Sequence, residues 1–417
     1  MKIAHVLRRL SFDDWGGTEQ VVWSIAKAQK AAGHDVRIFA TTALCGTERE
    51  TVEGLEIFRF RPVYPWWPMP RRLAAELDLK GGNPFVPGLG KALREWKPDV
   101  IHCHAMARIA ELCLRTARQL TTHNSQLTTK TAISLHGGGA NVPGEEAKSL
   151  KAPTRGRLPW GKMVDYAMGW VRRVPEDFGG IVCVGEDEYE KYKAKHPHVM
   201  YLPNGVDTRL FEGTGLETLD ERRGNVSCAS SNVSRQGMTL LCVARIDRQK
   251  NQMTLVEAVA RNPGVSLRLV GPVTQPDYGD ELRRRAAELA VLDRVAFVGA
   301  LKPGSPELLA EYANADAFAL ASRHEPFGIV VLEAWAAGLP VVASDVGGLG
   351  RLCAAHPDAA ITFSQNEAAS LDRALSELQR RISTGEARAM SDAGRRAAAE
   401  YDWRNLSARL VAFYAEI

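Results

Sequence analysis

The sequence has no apolar run long enough to cross a bilayer, which takes about 20 consecutive residues. The first apolar residues, Ile3 to Leu7, run directly into Arg8 and Arg9 without a small-residue cleavage site, so we expect a buried strand here and no signal peptide. The formal net charge of +4 is small for 417 residues and gives no reason to expect a nucleic-acid partner. We therefore expect a cytoplasmic protein that binds no nucleic acid.

Metal-binding patterns are also scarce. The seven cysteines are scattered without a C-x-x-C pair, which is typical of buried reduced thiols. No D-x-D element stands at a strand end to hold a divalent ion, and Glu186-Asp187-Glu188 instead opens a helix, where negative charge suits the dipole. His102 and His104 share one face of a strand and Cys103 points the other way, but no further ligand cluster accompanies them. We expect no metal and no other cofactor.

The chain is too long for one ordinary core, and two domains are expected. Short apolar strands alternate with helices, a pattern typical of a parallel sheet covered on both faces. The pattern stops in a segment rich in Gly, Ser and Asn and then restarts. We predict an α/β protein with two doubly wound Rossmann-like domains facing a central cleft. The predicted divisions are residues 1–210, a linker and insertion at 211–237, residues 238–398, and a C-terminal helix at 399–417.

The stretch from Ser322 to Glu333 carries the most chemical information. A strand predicted over 317–320 ends just before it, and a helix is expected to begin near Phe327-Gly328. The unpaired N–H groups at such a helix start carry the positive end of the dipole and suit a diphosphate. Glu325 precedes the helix and Glu333 lies within it. One carboxylate can therefore bind a sugar while the other binds ribose hydroxyls. Two glutamates on an exposed helix are the simpler alternative.

This stretch resembles the E-x7-E motif of the retaining family 4 glycosyltransferases, which have the GT-B fold. The resemblance covers nearly the whole chain and includes Gly16-Gly17-Thr18-Glu19, Asp99 to His104, His136-Gly137, Pro203 to Asp207, Arg245 with Lys250, and Val346-Gly347-Gly348. It implies that Glu333 binds ribose, that Glu325 contacts the donor sugar, and that Phe327, Gly328 and Ile329 offer backbone groups to the phosphates. It also implies that the C-terminal amphipathic helix, with Leu406, Leu410 and Phe413, packs back on the first domain.

Arg245 and Lys250 follow the first strand of the second domain and are expected at its carboxyl end. Breaking a sugar–diphosphate bond develops negative charge on the departing phosphate, and fixed cations stabilise that charge. The resemblance assigns this role to the matching Arg and Lys. An exposed ion pair of Arg245 with Asp247 or Glu257 is the alternative.

Two further motifs follow strands of the first domain. Gly16 and Gly17 would let the backbone approach the donor, or they form a plain tight turn. His136 is a candidate for contacting the donor sugar or orienting the acceptor hydroxyl, and a purely structural histidine is the alternative. The base of the donor is expected near Leu301. A UDP-sugar is favoured on family frequency, with GDP-mannose as the alternative.

Other features leave alternatives open. The stretch from Lys151 to Arg173 is rich in basic residues and contains two tryptophans. This composition is typical of a helix that lies on a membrane surface, here the inner face of the membrane. It is also typical of a solvated helix beside an acceptor site.

The chain departs from the family pattern at one motif. Family members usually continue Val-Gly-Gly-x with Pro-Glu, whereas this chain has Leu349-Gly350-Arg351. The difference weakens any inference about the identity of the donor sugar.

The resemblance implies a metal-independent transfer with retention of configuration, in which the leaving phosphate takes the proton of the acceptor. The acceptor is expected to be a glycan, a lipid-linked sugar or a small molecule, as in cell-surface polysaccharide synthesis. A sugar-nucleotide epimerase and a catalytically silent sugar-nucleotide-binding protein are the rival hypotheses.

Overall fold

A computed structural model describes residues 1–12, 17–80, 83–123, 128–136, 160–170, 175–212, 237–365 and 367–417. By its internal contacts the chain divides into two compact units. The first unit comprises Met1–Pro203 together with Trp403–Ile417, and the second comprises Asn204–Asp402. Among the described residues, no helix combines the length and the apolar character that a membrane span requires.

The first unit is built on an eight-stranded sheet with the order β3-β4-β2-β1-β5-β6-β7-β8. Its first strand, β1, shows why the sheet lies inside: Ile3, Ala4, Val6 and Leu7 are all buried, without the alternation of a strand that faces water. The strands are β1 (Lys2–Arg9), β2 (Asp35–Thr41), β3 (Arg49–Val52), β4 (Leu55–Phe60), β5 (Val100–Cys103), β6 (Lys130–Leu135), β7 (Gly180–Cys183) and β8 (Val199–Tyr201).

One edge of this sheet differs from the sequence-based expectation of parallel strands. Strand β3 pairs with β4 in the antiparallel direction, whereas the remaining neighbours are parallel. The two strands are joined by Glu53 and Gly54, both with positive φ (47° and 77°). A two-residue turn of that kind matches the twist of a hairpin, so the chain reverses here without a crossover helix.

Helices cover both faces of the first sheet. The described helices of this unit are α1 (Gly17–Ala31), α2 (Arg71–Lys80), α3 (Leu89–Trp96), α4 (Arg108–His123), α5 (Trp160–Ala167), α6 (Glu186–Lys193) and, from the end of the chain, α14 (Trp403–Glu416). One apolar cluster joins Ile3 and Leu7 to α1 and α14, and a second joins Ala4 and Val6 to α3 and α4. Successive residues of β1 therefore point to opposite helical layers.

The second unit has a six-stranded parallel sheet with the order β11-β10-β9-β12-β13-β14. Its strands are β9 (Met238–Val243), β10 (Val265–Val270), β11 (Val295–Gly299), β12 (Ala317–Leu320), β13 (Val341–Ser344) and β14 (Ala360–Phe363). Its described helices are α7 (Gln252–Arg261), α8 (Pro276–Glu288), α9 (Pro306–Asn314), α10 (Ile329–Ala336), α11 (Gly347–Ala355), α12 (Ala368–Ser383) and α13 (Ala387–Glu400). The strand order reverses between β9 and β12, and ligands of doubly wound sheets bind at such a point, beyond the carboxyl ends of the strands.

Candidate active site

The predicted carboxylate Glu325 lies in the loop between β12 and α10. It is almost fully buried, and its carboxylate accepts a hydrogen bond from Lys250 Nζ at 2.6 Å and one from Ser322 Oγ at 3.3 Å. Lys250 lies in the loop between β9 and α7. A backbone hydrogen bond also joins this loop to the Glu325 loop, since the Arg323 N–H donates to the Gln249 carbonyl at 2.7 Å. The structure thus brings Lys250 and Glu325, both predicted from sequence, into one ion pair.

The Glu325 loop packs closely against the two glycines that begin α11, Gly347 and Gly348. The N–H of Gly348 donates to the Glu325 carbonyl at 3.0 Å. A Cβ on Gly348 would lie 1.8 Å from the Pro326 carbonyl oxygen, and one on Gly347 would lie 2.8 Å from that of Glu325. Only glycine permits so close an approach, which explains the Gly-Gly motif in packing terms.

Arg245 and Lys250 are both held by Asp247, which is buried in the loop that follows β9. Its carboxylate accepts from the Lys250 N–H at 3.0 Å and pairs with an Arg245 guanidinium nitrogen at 3.4 Å. The Arg245 side chain is 55% exposed. The pairing with Asp247 that the sequence left as an alternative is therefore present, whereas Glu257 pairs with Arg285. An Arg with so much exposed surface can still reach a ligand.

Glu333 lies in the second turn of α10 and is tied to the core by Tyr312. The buried Tyr312 hydroxyl donates to a Glu333 carboxylate oxygen at 2.6 Å. Burial raises the pKa of Glu333 above its usual value, and the hydrogen bond from Tyr312 offsets part of that rise. Burial, together with the nearby charge of Glu333, raises the pKa of Tyr312 so that it stays a donor.

The predicted phosphate-binding backbone lies at the start of α10. The helix begins at Ile329, and Gly328 is its N-cap, in the left-handed region with φ 93° and with no side chain to cap the first turn. Phe327 and Leu301 are partly buried and pack against the core of the second unit. Leu301, where the base of the donor is expected, lies two residues after β11.

The remaining predicted site residues, Gly16, Gly17 and His136, belong to the first unit. His136 follows β6 and is half-buried, with its Nε2 3.1 Å from His104 Nδ1. Gly17 opens α1, and Glu19 two residues on pairs with Arg9 at 3.1 Å. Gly16 and Gly137 lie outside the described residues, as does most of the basic stretch apart from 160–170, so neither interpretation of that stretch is tested.

A histidine cluster that the sequence did not predict surrounds His104. Among the described residues, the side-chain nitrogens of His5, His102 and His104 lie within 4.8 Å of one another, a spacing that can hold a metal ion. Each of their ring nitrogens, however, already has a hydrogen-bond partner: Gln29, His136, Tyr414, Ser134, or another ring of the cluster. Burial lowers the pKa of all three rings. The arrangement is that of neutral, hydrogen-bonded imidazoles.

Two family models match the chain. "Glycosyltransferase Family 4" matches residues 15–210, and "Glycosyl transferases group 1" matches residues 229–396. The GDP-mannose-dependent alpha-(1-6)-phosphatidylinositol monomannoside mannosyltransferase of Mycobacterium tuberculosis (strain CDC 1551 / Oshkosh) is 30% identical over 284 residues, which are 64% of this chain and 69% of that protein. The chain belongs to the family 4 glycosyltransferases.

Other comparisons extend over the full length of this family 4 glycosyltransferase. Glycogen synthase of the same Mycobacterium tuberculosis strain is 26% identical over 419 residues, with 96% of this chain and 91% of that protein covered. The crystal structure of a glycosyltransferase from Rickettsia africae ESF-5 superposes with a TM-score of 0.66 at 17% identity, covering 100% of this chain and 98% of that one. The predicted family and the GT-B fold class are confirmed, and the protein is a glycosyltransferase enzyme.

Sequence reasoning missed several residues that hold the family's motif residues in place. Tyr312 binds Glu333, Asp247 accepts a hydrogen bond from the Lys250 N–H, and Ser322 binds Glu325. Of the contacts that Asp247 makes, only its pairing with Arg245 was considered from the sequence. Asp247 lies between Arg245 and Lys250 in the sequence and Ser322 begins the Glu325 stretch, so a carboxylate between two cations was an available signal. Tyr312 offered none, because it lies 21 residues before Glu333 on a different helix.

Proposed function

We propose that the chain transfers a sugar from a nucleoside diphosphate sugar to a hydroxyl of its acceptor, with retention at the anomeric carbon. The observation that carries the proposal is the Lys250–Glu325 pair, 2.6 Å apart, in loops at the carboxyl ends of β9 and β12. A cation and a carboxylate at that place meet the two halves of such a donor, its phosphate and its sugar.

The phosphates are proposed to bind Arg245, Lys250 and the first backbone N–H groups of α10. When the bond between the anomeric carbon and the phosphate oxygen breaks, negative charge grows on that oxygen, and these groups stabilise it. The acceptor oxygen bonds to the anomeric carbon on the same face, and its proton passes to the leaving phosphate. No protein nucleophile takes part in this front-face mechanism.

The nucleoside and sugar are proposed to bind around the two glutamates. Tyr312 holds Glu333 in one rotamer, and the carboxylate accepts from the ribose hydroxyls. Glu325 binds the donor sugar, Leu301 lies by the base, and Gly16 and Gly17 allow close backbone approach. His136 accepts a hydrogen bond from a sugar or acceptor hydroxyl. A UDP-sugar is our preferred donor, with GDP-mannose as the alternative that the name of the mycobacterial mannosyltransferase suggests.

The acceptor class follows from the same family membership. We propose a glycan, a lipid-linked sugar or a small molecule as the acceptor.

The donor is tested by thermal unfolding with UDP-, GDP- and ADP-sugars. A donor present at a hundredfold excess over its dissociation constant should stabilise the folded protein by about 2.7 kcal/mol. Stabilisation by none of them would overturn the proposal. Conversion of the donor to another sugar nucleotide without acceptor would instead identify an epimerase.

The phosphate role is tested by Arg245→Ala. Loss of this cation should lower kcat by about a hundredfold or more, because charge stabilisation is lost in the transition state. Arg248→Ala is the matched control, since Arg248 is three residues away, is similarly exposed at 51%, and pairs with Asp277 and Glu281. Equal activity of the two variants would remove Arg245 from the mechanism.

Retention is tested by proton NMR of the product. The new glycosidic bond should keep the anomeric configuration of the donor, and an inverted product would contradict the proposed front-face displacement.

A further inference from the structure

A continuous hydrogen-bonded chain of side chains runs from helix α1 to His136. The Gln29 amide oxygen lies 2.8 Å from His5 Nε2, His5 Nδ1 lies 2.9 Å from His104 Nε2, and His104 Nδ1 lies 3.1 Å from His136 Nε2. Gln29 and His5 are fully buried, and His136 is the half-buried end of the chain. Every link joins residues far apart in sequence, so the fold alone assembles it.

The direction of this chain is set at its buried end. In the orientation that the structure gives the Gln29 amide, the oxygen faces His5 and the amide nitrogen is buried without a hydrogen-bond partner. An amide oxygen only accepts hydrogen bonds, so in this orientation His5 carries its proton on Nε2. A neutral imidazole has one donor and one acceptor, and therefore His5 Nδ1 accepts from His104 Nε2. By the same rule His104 Nδ1 accepts from His136 Nε2. The proton of His136 is thus on Nε2.

We propose that Gln29, His5 and His104 are positioning residues that fix His136 as the Nε2–H tautomer, so that its Nδ1 meets the sugar ligand as a hydrogen-bond acceptor. The inference rests on the proposed function, which places His136 at the donor sugar or acceptor. Among the described residues, which stop at His136 and resume at residue 160, no group hydrogen-bonds Nδ1 of His136.

The electrostatics agree with a chain of neutral rings. Burial lowers the pKa of His5 and of His136 to about 4, and it lowers that of His104 well below its usual value. A charged imidazolium would have two donors and would break the sequence of donors and acceptors.

The hydrogen-bonded row of side chains also determines which ligand groups can bind to His136. A lone pair on Nδ1 binds a group that donates, such as a sugar hydroxyl. It repels carboxylate and phosphate oxygens, which only accept. A donor or acceptor sugar with a hydroxyl at this position is therefore recognised, and one with an oxidised, carboxylate-bearing carbon there is rejected.

The tautomers can be measured directly on the unliganded wild-type protein. In long-range nitrogen–proton NMR spectra of protein labelled at histidine nitrogens, His5, His104 and His136 should each show a protonated Nε2 and an unprotonated Nδ1 at neutral pH. The signals are assigned by His136→Asn, His5→Asn and His104→Asn. Protonated Nδ1 on these rings would mean that the chain runs the opposite way, and it would overturn the proposal. A tightly bound zinc ion in the purified protein would overturn it as well.

The functional consequence is measured with Gln29→Leu, which removes the accepting oxygen. We expect about a fivefold loss of kcat, the equivalent of one hydrogen bond of average strength, and a mixture of His136 tautomers. The affinity for a nucleoside diphosphate should stay within about twofold of the wild type. Arg245, Lys250 and Glu333, which are proposed to bind the phosphates and the ribose, lie in the second unit. Gln119→Leu, an exposed glutamine that binds Arg94, is the control and should match the wild type.

Failure of this inference can be told apart from failure of the proposed function. If His136→Ala transfers sugar at the wild-type rate, the role proposed for His136 is wrong and the inference falls with it. If His136→Ala is impaired while Gln29→Leu is fully active with unchanged tautomers, only the inference is wrong.

Discussion

Glu333 is a carboxylate that the folded protein keeps partly buried with one neutral donor, the Tyr312 hydroxyl. Burial disfavours its charged form and raises its pKa, so the folded state binds a proton there more tightly than the unfolded chain does. That contribution to stability is complete below the usual pKa of 4.5 and is lost as pH rises through the raised value. Above that raised value Glu333 carries a negative charge at the expense of stability.

Glu333→Gln should separate these two effects. At pH 7 to 8 the variant should unfold at a higher temperature than the wild type, and this advantage should vanish below pH 4.5, where Glu333 is protonated in both states. Nucleotide affinity should fall about tenfold or more, because the ribose hydroxyls lose a charged acceptor. Thermal scans across pH and calorimetric titration measure the two quantities. A variant less stable than the wild type at pH 8 would contradict the account.

At the residue scale, the sequence showed the residues that are proposed to take part in the chemistry more readily than the residues that hold them in place. Glu325, Lys250 and Glu333 stand in local motifs whose spacing is visible along the chain. His5 and His104 are 99 residues apart, and their contact depends on the pairing of β1 with β5. The spacing of His102 and His104 was noted, but nothing in the sequence placed His5 beside them.

At the scale of elements, the tight junction between the Glu325 loop and α11 makes a sharp prediction. Gly348→Ala places a methyl carbon 1.8 Å from the Pro326 carbonyl oxygen, so the loop must move. We expect a destabilisation of about 1–3 kcal/mol, as for other overpacked sites, together with weaker nucleotide binding. Denaturant unfolding and calorimetry test both.

The control for this prediction is Gly264→Ala in the same unit. The nearest atom to its added carbon is a Gln379 side-chain nitrogen at 3.4 Å, which is an ordinary contact. This variant should unfold within about 0.5 kcal/mol of the wild type. Equal losses for Gly264→Ala and Gly348→Ala would show that the close approach is not what matters.

The buried strands were the elements best predicted from sequence. The predicted strand over 317–320 matches β12, and the helix carrying Leu406, Leu410 and Phe413 is present as α14 with all three side chains buried. The edge hairpin was missed because Arg49 to Val52 contains two charged residues and is exposed to partly exposed, so no apolar run marks it. Its register depends on pairing with β4 rather than on its own side chains.

At the scale of the whole molecule, the last helix belongs to the first unit. Trp403, Leu406, Leu410, Phe413 and Tyr414 of α14 are buried in the cluster that contains Ile3 and Leu7. At about 1.5–3 kcal/mol for each large apolar side chain, their burial is comparable to the whole net stability of a domain.

Deletion of residues 403–417 should therefore unfold the first unit. The truncated chain should show a loss of helical circular dichroism larger than 15 residues can explain, and a low soluble yield. Leu406→Ala in the full-length chain should cost about 2–5 kcal/mol as a milder form of the same defect. A truncated protein that retains a cooperative unfolding transition of the first unit would contradict the assignment.

Because α14 completes the core around β1, the order in which the chain leaves the ribosome differs from the order in which its units can finish folding. The middle of the polypeptide, Asn204–Asp402, holds all the strands of its own sheet and can fold once it has emerged. The first unit, by contrast, cannot complete its core until α14 has emerged. Until α14 has emerged, the face of β1 that carries Ile3 and Leu7 lacks the part of its cover that α14 provides, and it is a surface for chaperones to bind.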